Sequence, residues 1–353
     1  MNKLKPPFIW DYFSDQPYPL KDRAYKRKMR KKSLVDIAPL VLSNLIFFPL
    51  SIMTMKLFKG KKKLEYGLGV NLDKGSAQVS LVEELGVKHL IIRLPLWDME
   101  RLEEYLAFAK SFGEDKEILL NILQDREHID NEELLKSAII RVFRTFDGVV
   151  NEYQIGSAIN RTKWGFFSVG EYLKFYKRVE DIRDREFPSL ILVGSSVIDF
   201  EYHYTIRSLF NFSSVQYDRL SSLLYVDRRG SPYSTQMGIF DTNNKINMLY
   251  ALSRLSSKTT DDIYITEVNW PLSNTAPYAP TSELECVSEA VYAEYLAEYL
   301  DIASKSQKIS RVYWHQLIAR GYGLVDDSNN EMRRMDGFWV FKEILSSSHS
   351  MNL

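Results

Sequence analysis

The feature that most narrows the possible folds is an alternation. From residue 66 onward, short apolar runs of strand character are separated by longer stretches of helical period. Eight runs read as strands: 66–71 (YGLGVN), 89–94 (HLIIRL), 118–123 (ILLNIL), 150–156 (VNEYQIG), 190–195 (LILVGS), 220–226 (LSSLLYV), 263–267 (IYITE) and 312–316 (VYWHQ). Apolar spacing predicts helices at 77–85, 99–112, 132–146, 169–185, 246–255, 283–304 and 338–345. Runs apolar on both faces must be covered on both sides, and parallel strands joined through outer helices supply that cover. Eight such units over ~280 residues match a (β/α)8 barrel in number and length. An open doubly wound sheet is the competing arrangement. No G-x-G-x-x-G follows the first strand, however, and Gly67 and Gly69 lie inside it, where they relieve packing rather than cradle phosphate.

With 353 residues, 45% of them hydrophobic, the chain can bury one large core and still carry an appendage. Its formal charge of zero hides an asymmetry. Residues 1–65 hold 15 of the 46 Lys and Arg but 5 of the 46 Asp and Glu, which leaves 31 against 41 in the remainder. Cys286 is the only cysteine, so no intramolecular disulfide forms, and a reducing compartment is expected. The five histidines are scattered, and no Cys/His cluster has zinc-ligand spacing, so neither a metal nor a cofactor is expected.

The basic front end divides into three parts. Residues 1–20, with Pro6, Pro7, Pro17 and Pro19, read as an irregular arm. A dense basic run follows (Lys21, Arg23, Lys26, Arg27, Lys28, Arg30, Lys31, Lys32), and then nineteen uncharged residues at 37–55. As a helix those nineteen would reach roughly 28 Å, nearly the thickness of a bilayer core. A cleaved signal peptide is disfavoured by the long basic region and the lack of a small-residue cleavage site. Lys56, Lys59, Lys61, Lys62 and Lys63 make the second flank basic too, so the positive-inside rule is best met with both ends cytoplasmic, in a kinked re-entrant or interfacial helix. A spanning helix and a helix docked on the globule remain alternatives. The expected organisation is a membrane-associating segment, 1–63, before a barrel, 64–353, with residues 21–63 contacting the cytoplasmic face of a membrane. Nucleic acid is not expected as a partner, because an apolar segment follows the basic run directly.

In a parallel barrel the chemistry sits at the C-terminal ends of the strands. The seventh strand stops on Glu267, followed by Asn269 and Trp270. Arg93, in the second, is placed to pair with Glu267 and keep it ionised. The eighth offers Trp314 as a flat apolar platform for a sugar, with His315 and Gln316 as hydrogen-bond partners, while Trp97, Tyr225 and Trp270 add aromatic surface. Each has a purely structural alternative, Trp314 as core above all; together they read as a carbohydrate cleft.

The segments IIRLPLW, YQIGSAINR, SLLYVDRRGSP, YITEVNWP and VYWHQL, in this order and spacing, resemble the retaining glycosidases of clan A, especially the xylosidase, iduronidase and bacterial endoglycosidase branch. The resemblance runs over about residues 66–345 and leaves out the basic front end. It implies that Glu267 stands where the nucleophile does and Arg93 where the arginine supporting it does. It also exposes departures. Where that family has Ile-Gly-Asn-Glu-Pro on the fourth strand, this chain has Ser157, Ala158 and Ile159 after Gly156, so the acid/base carboxylate falls on Ala158. The family's His-x-Tyr on the sixth strand reads Leu223, Leu224, Tyr225. Two functions follow as expectations. One is a catalytically degenerate barrel that binds a glycan or glycolipid at the membrane, in lipopolysaccharide or other surface-polysaccharide metabolism. The other is an active retaining hydrolase with a relocated acid, for which Glu152, Asp199, Glu201 and Asp227 lie close enough to strand ends to compete.

Overall fold

A computed structural model describes residues 4–328 and 331–350 of the chain. Eight parallel strands close into a barrel: β1 (Glu65–Val70), β2 (His89–Pro95), β3 (Glu117–Leu123), β4 (Glu152–Ile155), β5 (Ile191–Ile198), β6 (Arg219–Leu223), β7 (Ile263–Val268) and β8 (Arg311–Trp314). β8 pairs with both β7 and β1, with Trp314 opposite Val268 and Leu68, so no edge is left open. All eight expected strands are present. The largest departure is β6, which ends at Leu223 and leaves Tyr225 in the loop beyond it.

The lumen is filled by Ile91, Leu119, Val193, Tyr264 and Tyr313, so the barrel is a packed core rather than a channel. Gly67 lets the Tyr313 ring in: a Cβ there would lie 2.4 Å from Tyr313 Cδ1. At the N-terminal end of the strands Arg311 is ringed by Glu65, Glu117 and Glu152, an ionic floor far from the strand mouths.

Besides the five-residue Arg126–Asp130, ten α-helices among the described residues position the rest. The first two are α1 (Arg23–Lys32) and α2 (Ile37–Thr54), and the outer ring follows as α3 (Ala77–Leu85), α4 (Leu102–Lys110), α5 (Glu132–Thr145), α6 (Val169–Glu186), α7 (Tyr202–Leu209), α8 (Thr242–Leu255), α9 (Glu289–Ser306) and α10 (Asp336–Ser350). Side-chain caps start many of them: Asn131 accepts from Leu134 N, Ser168 from Glu171 N, Asp241 from Asn244 N and Ser288 from Val291 N. The eight-residue α7 has no counterpart among the sequence-predicted helices. Its aromatic and β-branched residues are indifferent helix formers, and tertiary packing holds it.

That packing comes from α2. Phe47 stacks on Phe210 with ring centroids 3.5 Å apart, Phe48 stacks on Tyr202 at 4.4 Å, and Asn44 Nδ2 donates to the His203 carbonyl at 3.0 Å. Asp36, just before α2, accepts from Gly170 N and Arg207. The apolarity of α2 is inverted with respect to a docked core helix. Its buried residues are Ser43 and Ser51, whereas Val41, Leu42, Leu45, Ile46, Leu50 and Met53 are exposed.

Residues 4–20 run across the strand mouths. Trp10–Asp11 pairs antiparallel with Gln16–Pro17, and the hairpin so formed lies against Arg93 of β2 and the loops that follow β4 and β7.

Candidate active site

Glu267, the penultimate residue of β7, is buried at the barrel mouth. Arg93, five residues into β2, donates from Nη2 to Glu267 Oε2, and the Tyr225 hydroxyl donates to Oε1 at 2.5 Å. Burial alone would raise the pKa of this carboxyl, but the Arg93 charge and the two hydrogen bonds outweigh it and hold it at about 2. Glu267 is therefore an anion with one oxygen on a guanidinium and the other on a phenol. The Arg229 guanidinium lies 3.4 Å from the Tyr225 ring centroid, covering the far face of that phenol.

His315 stands next to this group. Burial and the Arg93 charge push its pKa down to about 3, so it is neutral at physiological pH. Asn269 Nδ2 donates to the His315 carbonyl at 2.6 Å and ties the segment after β7 to the one after β8. Gln316 Nε2 reaches the Tyr322 hydroxyl at 3.3 Å, and the Tyr322 ring stacks on His315 at 5.5 Å. A cavity of about 200 Å3 opens here, lined by Arg93, Ala158, Asp199, Tyr225, Glu267, Asn269, His315 and Tyr322 among others. The structure thus brings together Glu267, Arg93, Tyr225, Asn269 and His315 and sets Gln316 just behind them.

Two expected aromatic surfaces, Trp314 and Trp270, lie in the core instead, and the reading of Trp314 as a sugar platform is corrected. Trp314 and Trp270 are fully buried and stack on each other at 6.0 Å, with Trp314 Nε1 bound to the Tyr292 hydroxyl and Trp270 Nε1 to the Arg229 and Gly230 carbonyls. Trp314 is the last residue of β8, and its side chain points outward to α9 rather than into the mouth. Trp97 is partly buried and packs against Trp10 of the arm at 5.3 Å, outside the cavity around Glu267. The aromatic residues that do line it are Trp164, Tyr225 and Tyr322.

Beyond the end of β4 the chain turns into the loop that carries Ser157 and Ala158. The Gln124 side chain holds Ser157 by both backbone groups, donating to its carbonyl at 2.8 Å and accepting from its N–H at 2.9 Å. Ala158 follows with φ 47° and no exposed surface. Its methyl group lines the same cavity as Glu267. Of the four proposed replacements, Glu152 belongs to the ionic floor, bound to Arg219 at 2.6 Å, and is excluded. Asp199 and Glu201 both bind Arg161, and Asp199 alone of the four lines the cavity.

A third carboxylate at the site, after Glu267 and Asp199, comes from a place the sequence did not single out. Asp15 in the arm accepts from Arg93 Nη1 at 3.2 Å through its side chain and again at 3.2 Å through its carbonyl. Burial raises its pKa, and so does Glu267 on the same guanidinium, while Arg93 lowers it; the net direction is up. Beside it Lys163 Nζ donates to Gln16 Oε1 at 2.6 Å, and burial pushes this ammonium down to about 8. No periodicity or motif marks Asp15, because its place at the site depends on contacts between the hairpin and barrel residues distant in sequence.

No family model matches the chain, and no curated protein matches it. Solved structures do. A family 39 glycoside hydrolase from Bacteroides cellulosilyticus WH2 superposes with a TM-score of 0.59 at 12% identity over 81% of this chain and 64% of that one. A monomeric β-xylosidase from Caulobacter crescentus CB15 gives 0.58 at 11% identity over 81% and 69%. A GH2 β-galacturonidase from Eisenbergiella tayi gives 0.53 at 14% identity over 82% and 53%. The chain spans between about half and two thirds of the length of the first of these structures. At such identities the likeness is one of fold: this chain is built on the eight-stranded parallel barrel shared by family 39 and other clan A glycoside hydrolases.

Proposed function

We propose that this protein is a degenerate glycoside-hydrolase-type barrel that binds a glycan or glycolipid at a membrane face, in surface-polysaccharide or lipopolysaccharide metabolism, and hydrolyses ordinary glycosides poorly. The observation that carries this reading is the pairing of an ionised, well-supported Glu267 with a buried methyl at Ala158. Retaining hydrolysis needs two carboxyl groups about 5 to 5.5 Å apart, one to attack and one to protonate the leaving oxygen. Glu267 keeps the features of the attacking group: it is anionic, oriented by Arg93, and bound by Tyr225. Without an acid the step loses on the order of a hundredfold to ten-thousandfold, but the polar, aromatic cavity can still hold a sugar.

The membrane half of the proposal rests on α2. Its outward stripe of Val41, Leu42, Leu45, Ile46 and Met53 lies between exposed basic clusters at residues 26–32 and 56–63, the composition of an interfacial helix on an anionic surface. Its other side is occupied by Phe210 and Tyr202, which favours a helix lying on the membrane over one crossing it.

A second reading, an active hydrolase with a relocated acid, is favoured by the presence of Asp199 and Asp15 in the same cavity as Glu267. Turnover of alkyl glycosides and 2,4-dinitrophenyl glycosides by the full chain separates the two. The degenerate barrel leaves alkyl glycosides intact and shows at most slow release of dinitrophenol, which Glu267→Gln abolishes. Hydrolysis of alkyl glycosides that Asp199→Asn or Asp15→Asn removes would establish the second reading.

A further inference from the structure

The arm across the barrel mouth occupies the place where a ligand would have to enter. Three contacts fix it there. Asp15 takes a left-handed backbone, φ 51°, which aims its carboxylate and its carbonyl at the same Arg93 nitrogen. Gln16 bridges the mouth, accepting from Lys163 Nζ at 2.6 Å and donating to the Pro280 carbonyl at 3.0 Å. Trp10 packs on Trp97 at 5.3 Å and edge-on to Trp164 at 5.7 Å, covering the indole that lines the cavity.

The cavity that remains beneath is about 200 Å3, below the roughly 300–1,000 Å3 typical of ligand sites, and too small for more than a single sugar ring. A larger hollow of about 410 Å3 lies against the arm as well, lined by Leu4, Lys5 and Phe8 together with Trp97. The arm is thus a wall of both spaces. Its contacts are of the kind an acidic saccharide makes: a carboxylate on an arginine, an uncharged oxygen on a lysine, and a ring against aromatic faces.

We propose that residues 10–17 are a self-ligand that plugs this cleft, with Asp15 and Gln16 holding the polar sites and Trp10 the aromatic one, and that an oligosaccharide binds by displacing them. The proposal rests on the glycan-binding reading for the identity of the displacing ligand, and on the arm geometry alone for the plug. Arg93 Nη1, Lys163 and the Trp164 face become available together when the hairpin lifts, so the apparent affinity of any ligand is scaled by the fraction of molecules with the arm released.

The test uses the full chain carrying Asp15→Ala and Gln16→Ala, which cut the polar ties and leave Trp10 in place. Gln16→Ala alone serves as the milder variant. Hydroxyl-radical footprinting read by mass spectrometry reports the accessibility of Trp164, and calorimetric titration with xylohexaose, laminarihexaose and tri-galacturonate reports binding. We expect Trp164 to change from protected to reactive and at least one oligosaccharide to bind about tenfold tighter than to the wild type, as an arm seated in nine molecules of ten requires. Trp164 still protected in both folded variants overturns the plug. Trp164 exposed with affinity unchanged from a measurable wild-type value overturns the gating. Trp164 exposed with no oligosaccharide bound by any form upholds the plug and overturns the glycan reading instead.

Discussion

Trp314 donates its indole hydrogen to the Tyr292 hydroxyl at 2.6 Å, and that hydroxyl donates onward to the Tyr322 carbonyl at 3.0 Å. The pair joins the end of β8 to α9 and to the loop that carries Tyr322 into the cavity. Trp314→Phe should therefore cost stability, about 1–3 kcal/mol for a buried hydrogen bond and lost volume, and Trp314→Ala about 3–5 kcal/mol. Oligosaccharide affinity of the folded Trp314→Phe protein should stay unchanged. Urea unfolding and titration calorimetry check both, and a selective loss of binding at unaltered stability would return Trp314 to the cleft.

The titration of the site predicts a pH profile. His315 has a folded pKa of about 3 against an ordinary 6.5, so below 6.5 the unfolded chain takes up a proton that the folded one refuses. Stability must fall as pH drops from 6.5 toward 3. Glu267 acts in the same direction: its folded pKa of about 2 lies below the ordinary 4.5, and its contribution is present above 4.5 and lost as pH falls through 2. Between pH 6.5 and 4.5 His315 is joined by His89, whose pKa burial and the Arg311 charge lower to about 4, and by His203, which burial lowers as well; for His315 two pKa units correspond to roughly 2–3 kcal/mol. His315→Gln should shrink the difference in unfolding free energy between these two pH values by about that amount and leave the share that belongs to His89 and His203.

The parts of the molecule that were legible in the sequence are those governed by local pattern. Glu267 stands one residue before the end of β7 and Arg93 on β2 reaches it, as strand period in a closed barrel leads one to expect, and Ala158 lies in the loop after β4 that lines the same cavity. What the sequence hid depends on direction or on long-range docking. Trp314 and His315 are adjacent, and the alternation of side chains sends one to α9 and the other to the mouth; the strand run 312–316 does not say which. Tyr225 lies beyond the end of its strand and reaches Glu267 only through the loop. Asp15 and Trp10 belong to a segment with no apolar period, fixed wholly by contacts with the barrel. The inverted helix α2 was legible as apolar; that its serines face inward was not.

That inversion yields a prediction of its own. Leu42, Leu45 and Ile46 are exposed to 51%, 69% and 53%, and burying such side chains in a membrane interface is worth on the order of 1.5–3 kcal/mol each when complete. Leu42→Glu, Leu45→Glu and Ile46→Glu combined should abolish sedimentation of the full chain with vesicles containing anionic phosphatidylglycerol. The melting temperature should stay within a few degrees, because none of the three packs on the barrel. Raising salt should weaken the wild-type binding without eliminating it, since the basic flanks are screened and the apolar stripe is not. Equal sedimentation of wild type and triple variant would exclude α2 as the membrane contact.

The degenerate acid site proposed at Ala158 can be tested by repair. Ala158 lines the same cavity as Glu267, and a carboxyl placed there would be buried, which raises its pKa and keeps it protonated near neutral pH, as a general acid requires. The left-handed backbone at Ala158, φ 47°, is already accepted by a residue with a Cβ, so Ala158→Glu adds a longer side chain without a new backbone penalty of this kind. Ala158→Glu should raise turnover of alkyl glycosides by about a hundredfold or more over the wild type, with Ser157→Asn and Ile159→Pro improving the aim, since a displacement of about 1 Å costs on the order of a hundredfold. Activity on dinitrophenyl glycosides should rise far less, because that leaving group departs without a proton. Glu267→Gln in the repaired background should return both to baseline. A gain that survives Glu267→Gln would mean that the new carboxyl works with a different partner, and Glu267 would lose its assignment as the attacking group.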